Sequence, residues 1–92
     1  MSDDVKRVLT IVNEKGLHAR ASAKLVELVE GFDADAEVSK DGMSVTGDSI
    51  MGLLMLAAAR GCSIEVSTSG AQADALADAI EALVADKFGE DA

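Results

Sequence analysis

The sequence predicts an α+β fold of element order β-α-β-β-α-β-α, in which a four-stranded antiparallel sheet carries three helices on one face. Three observations predict it. Apolar residues switch period along the chain, from strand-like alternation to helical steps of three and four. The strand segments are polar at alternate positions, so each needs only one face covered, and an antiparallel sheet layered on one side is the economical solution. No linker interrupts the pattern: the 92 residues include no Pro, and the eight Gly are scattered. A single domain over residues 1–92 is expected, with an ordered core over about 5–88.

The first strand runs from Val5 to Val12, mostly β-branched or apolar, and Asn13-Glu14-Lys15-Gly16 closes it with turn formers. Gly16-Leu17-His18 forms a loop. From Ala19 the period changes: Leu25, Leu28, Val29 and Phe32 fall on one helical face, and Arg20, Lys24 and Glu27 share another, up to Gly31. Ala36 and Val38 alternate with acidic and polar neighbours, and Lys40-Asp41-Gly42 turns the chain into Met43 and Val45, which reads as a β-hairpin. Gly47-Asp48-Ser49 offers capping chemistry before an apolar run from Ile50 to Ala59 that predicts a helix ended by Gly61. Ile64 and Val66 mark the fourth strand, broken by Gly70. The last helix places Ala73, Leu76, Ala77, Ile80, Leu83, Val84 and Phe88 opposite Asp74, Asp78, Glu81 and Asp86.

Composition closes several functional classes. Seventeen acidic residues against eight Lys and Arg give a net charge of −9. With no basic cluster, neither nucleic acid nor an anionic membrane is an expected partner, because both require aligned cations. The charged start, Met1-Ser2-Asp3-Asp4-Val5-Lys6-Arg7, does not read as a signal peptide, and no segment reaches the apolar length of a membrane span, so a cytoplasmic protein is expected. Cys62 stands alone, without a partner for an internal disulfide, and reads as a small packed hydrophobe. One His and one Cys supply too few ligands for a zinc site, and no G-x-S-x-G elbow or glycine-rich nucleotide loop is present. No metal and no cofactor are expected.

His18 is the only histidine. A solitary histidine is often structural, but this one immediately precedes a helix. The first turn of a helix presents unpaired N–H groups and the positive end of the dipole, a favourable setting for a phosphoryl group on the imidazole. Arg20 offers a bidentate clamp for phosphoryl oxygens, and Lys15 and Lys24 make the stretch locally cationic. Ser49 reads first as an N-cap hydroxyl. The run from Ile50 to Leu56 is apolar on all sides, so Ile50, Met51 and Leu54 are candidates for an exposed docking patch.

The segment Gly16-Leu17-His18-Ala19-Arg20-Ala21-Ser22-Ala23-Lys24-Leu25-Val26 resembles the active-site signature of HPr proteins, the histidine phosphocarriers of the bacterial phosphoenolpyruvate-dependent phosphotransferase system. The element order, the Gly47-Asp48-Ser49-Ile50-Met51-Gly52 segment and the final amphipathic helix extend the likeness over the rest of the chain. The resemblance implies an HPr-like open-faced β-sandwich and a monomeric carrier rather than an enzyme. It implies that His18 takes a phosphoryl group on Nδ1 from phosphorylated enzyme I and passes it to an enzyme IIA, with Arg20 assisting. Ser49 resembles the regulatory site served by HPr kinase/phosphorylase, and Lys24 joins Ile50, Met51 and Leu54 as a docking residue. Ala21 stands where sugar-branch members have Pro. With Gly31-Phe32-Asp33-Ala34 and Leu53-Leu54-Met55-Leu56, it looks more like the nitrogen-related, NPr-like branch, which implies a role in nitrogen or carbon regulation. A small regulatory or ligand-binding module with a ferredoxin-like core is the competing reading.

Overall fold

Alternation along the strands becomes two unlike faces in the computed structural model, which describes residues 4–92; Met1, Ser2 and Asp3, where the charged amino-terminal segment begins, lie outside the described residues. Strands β1 (Val5–Thr10), β2 (Asp35–Lys40), β3 (Met43–Thr46) and β4 (Ser63–Ser69) form one sheet in the order β1-β4-β2-β3. All pairings are antiparallel, with Leu9 opposite Ile64, Val38 opposite Val66 and Val38 opposite Val45. Leu9, Val38, Ile64 and Val66 point into the core, whereas Val8, Glu37 and Glu65 lie on the open face. Asp41 and Gly42 join β2 to β3 with φ of 50° and 83°. Two successive left-handed residues suit the twist of a tight hairpin, and Gly takes one without steric cost.

Helices α1 (Ala19–Glu30), α2 (Ile50–Met55) and α3 (Ala73–Ala85) cover the inner face. Leu25 and Val29 of α1, Leu53 of α2, and Leu76 and Ile80 of α3 meet the inward strand residues in one core. Thr68, buried in β4, donates its hydroxyl to the Ala73 carbonyl at 2.8 Å, so its polar group is satisfied at the α3 start. Arg7 closes the edge of the layer, reaching Asp78 at 2.9 Å and Glu81 at 2.6 Å across to α3.

Three element ends differ from the sequence expectation. β1 stops at Thr10, although Ile11 still donates to the Cys62 carbonyl and accepts from Gly61, each at 2.8 Å. α2 ends at Met55 rather than Ala59, because Ala57 adopts φ of 51° and frees the Ala58 carbonyl to accept from Leu17 at 2.8 Å. Tertiary pairing with the histidine loop overrides the helical propensity of the alanine run.

Phe88 does not continue the α3 face. α3 stops at Ala85, and a single 3-10 turn over Lys87–Gly89 swings Phe88 into the core, where it is fully buried. Lys87, Phe88 and Gly89 all have positive φ, of 57°, 55° and 78°. Left-handed backbone at non-glycine residues costs about 1–3 kcal/mol each, a cost that burial of the large ring offsets. Phe88→Ala should therefore lower stability by about 3–5 kcal/mol, read from urea unfolding midpoints. A loss below about 1 kcal/mol would mean that the ring does not hold the carboxyl-terminal turn.

Candidate functional site

The site begins with a constraint on the loop before α1. Gly16 has φ of 66°, and a Cβ there would lie 2.5 Å from the Ala58 carbonyl oxygen. The loop thus packs backbone to backbone against the segment after α2, with Leu17 N–H bonded to Ala58. Fully buried Ser22 donates its hydroxyl to the Leu17 carbonyl at 3.2 Å, fixing the loop from the helix side.

His18 is thereby set at the N-cap of α1, with φ −78° and ψ −177°. Its carbonyl accepts the first helical bond from Ser22 N–H at 2.8 Å, but its side chain makes no capping bond. The amides of Ala19, Arg20 and Ala21 therefore lack intrahelical partners, and the positive end of the helix dipole faces outward. Ala21 contributes an N–H that a proline would not.

The ring stands in a cleft of about 340 Å³ lined also by Glu14, Lys15, Arg20, Lys24 and Glu90. One oxygen of the Glu90 carboxylate contacts His18 Nε2, and the other accepts from Asn13 Nδ2 at 3.0 Å. Asn13 is fully buried and also donates to the Gly16 carbonyl at 2.8 Å, while its Oδ1 has no partner among the described residues. The Asn13 amide first, and then the His18 ring, hold the Glu90 carboxyl below its ordinary 4.5.

The cationic residues differ in their engagements. Lys24 donates its ammonium to the Phe88 carbonyl at 2.6 Å, tying α1 to the carboxyl-terminal turn. Arg20 is exposed at the cleft. Ser49 caps α2, its Oγ accepting from Gly52 N–H at 3.0 Å. On α2 the apolar run divides: Leu53 and Leu56 are buried, while Ile50, Met51 and Leu54 are 40%, 71% and 37% exposed.

Asn13, Glu90 and Met55 enter as residues that the sequence reading did not single out. Met55 extends the exposed apolar strip at 65%. Asn13 carried a signal, because it falls on the inward parity of Leu9 and Ile11, where a polar residue is out of place. Glu90 carried none: it follows the last periodic residue in an acidic tail.

A single layered sheet thus presents one histidine at an uncapped helix start. Residues 5–86 match the family model described as "PTS HPr component phosphorylation site", and the chain belongs to that family. The phosphocarrier protein HPr of Cupriavidus necator is 44% identical over 94% of this chain and 97% of its own length. The phosphocarrier protein NPr of Escherichia coli is 41% identical over 95% of this chain and 98% of its own, in keeping with a likeness to the NPr branch. Among solved structures, HPr-C-His from Thermoanaerobacter tengcongensis superimposes with a TM-score of 0.91 at 32% identity, covering 96% of this chain and 99% of that one. HPr from Bacillus anthracis superimposes with a TM-score of 0.86 at 34% identity, covering 89% and 98%.

Two outcomes follow from the site's geometry. Gly16→Ala should lower stability by more than about 1 kcal/mol in urea unfolding, since both the positive φ and the Ala58 oxygen oppose a methyl group; a neutral effect would remove the proposed constraint. Because the Glu90 carboxyl is depressed, its contribution to stability is present above the unfolded-state value and fades as pH falls through the folded-state one. The stability gap between wild type and Glu90→Gln, followed by chemical denaturation, should thus be present near neutral pH and shrink as acid takes the pH below the ordinary carboxylate range. A gap independent of pH would contradict this.

Proposed function

We propose that this chain carries phosphoryl groups on His18, accepting them from phosphorylated enzyme I and delivering them to an enzyme IIA in the cytoplasm. The observation that carries the reading is the placement of the sole histidine, with its side chain 28% exposed, at the uncapped start of α1 beside Lys15, Arg20 and Lys24. In the transfer the lone pair of Nδ1 attacks phosphorus, the donor's N–P bond breaks, and its electron pair returns to the donor ring. First-turn amides and the Arg20 guanidinium stabilise the phosphoryl oxygens, so catalysis is positioning and electrostatics, with no cofactor. The chain acts as a monomer and as a covalent intermediate rather than a turnover enzyme.

Partners dock on Ile50, Met51 and Leu54, with Lys24 as a further docking residue. The exposure of these apolar residues on a surface helix supports this reading. Ser49, at the head of the same helix, is the site of control by an HPr kinase/phosphorylase. A phosphate there adds about −1.5 to −2 charges beside a patch that must be desolvated on docking. The likeness to NPr proteins supports a role in nitrogen or carbon regulation.

Incubation with phosphoenolpyruvate and enzyme I should give an acid-labile phosphoprotein in wild type and none in His18→Ala. Arg20→Ala should keep the fold by circular dichroism and slow transfer by about ten- to a hundredfold, the loss of one hydrogen bond to a charged group. Undiminished labelling of His18→Ala would overturn the proposal.

A further inference from the structure

Resting on the phosphocarrier reading of His18, we propose that Glu90 is a positioning residue that holds the imidazole in its Nε2–H tautomer, leaving the Nδ1 lone pair free to take the phosphoryl group. The carboxylate is delivered to the ring by built structure. Phe88, two residues earlier, is fully buried, and Lys24 holds the Phe88 carbonyl at 2.6 Å. The left-handed turn over Lys87, Phe88 and Gly89 then directs Glu90 back over the start of α1. Its side chain is only 14% exposed.

Both carboxylate oxygens are committed. One accepts from Asn13 Nδ2 at 3.0 Å, and that amide is oriented by its second bond, to Gly16, at 2.8 Å. The other faces Nε2 of His18. An ionised carboxylate is only an acceptor, so Nε2 bears the proton, and in the neutral ring Nδ1 then holds the lone pair. When Nδ1 bonds to phosphorus, the ring gains positive charge while the Nε2 proton stays in place beside the carboxylate. On transfer to the next acceptor the N–P bond breaks, its electron pair returns to Nδ1, and the ring is neutral again in the same tautomer. The other charged groups on the cleft are Lys15, Arg20 and Lys24, which favour the phosphoryl anion, and Glu14 and Asp91. Among these acidic residues, Glu90 alone contacts the imidazole.

The two-acceptor requirement makes Glu90→Gln a sharp probe. If the amide oxygen of the substituted side chain keeps the bond from Asn13, its NH2 turns toward Nε2, which then must accept, so the proton moves to Nδ1. In the full-length protein, long-range 15N spectra of the imidazole should show the Nε2–H tautomer in wild type and a gain of the Nδ1–H form in Glu90→Gln. Transfer from phosphorylated enzyme I should fall by about tenfold or more in Glu90→Gln and Glu90→Ala. Amide spectra unchanged outside the His18 loop and the tail would show that the fold is kept. Transfer at the wild-type rate or faster, or an unaltered tautomer in both variants, would overturn the assignment. Failure of the wild type to take any phosphoryl group would instead refute the phosphocarrier reading, and the tautomer spectra would still decide the role of Glu90.

Discussion

The approach of Gly16 to the Ala58 carbonyl oxygen is the contact on which the geometry of the site depends. It is open only to a residue without a side chain, since a Cβ would stand 2.5 Å from that oxygen. From it follow the bond between Leu17 N–H and Ala58, the early end of α2 and the extended backbone of His18 at the head of α1. Two helices that share no sequence neighbourhood are thus registered against one another at the loop that presents the histidine.

Electrostatics then separate the site from the rest of the surface. The protein carries a net charge of −9, yet the His18 cleft gathers Lys15, Arg20 and Lys24 around a helix start with free amides. An acidic protein that concentrates cationic groups at one place repels anions generally and admits them there. Glu14, Glu90 and Asp91 also line the cleft, and of these Glu90 is the one that contacts the ring. It lies on the Nε2 side of the ring, bound by Asn13, where a negative charge favours a protonated Nε2 and a nucleophilic Nδ1.

Much of the fold was legible because burial imposes simple periods. Alternation at Ala36, Val38, Ile64 and Val66 marked the inner face of the sheet, and steps of three and four marked α1 and α3. Legibility failed where a distant contact outweighed local preference. The alanines after Met55 favour helix, but pairing of Ala58 with Leu17 turns them out of it. Phe88 fits the α3 period in sequence and reaches the core by a left-handed turn instead. In the site, the places of His18 and Ser49 before helices and of Arg20 in a first helical turn were legible in the sequence. Asn13 looked like an ordinary turn former although its parity placed it inward, and Glu90 acquires its place only through the fold.

On the proposed reading, His18 carries the phosphoryl group on Nδ1 while Nε2 keeps its proton. Nitrogen and phosphorus NMR of the protein phosphorylated by enzyme I tests it most directly, because the two ring positions give distinct one-bond N–P couplings and 15N shifts. Coupling of phosphorus to Nδ1 alone, with Nε2 still protonated, is the result predicted by this geometry. A phosphoryl group on Nε2, or on a residue other than His18, would contradict it.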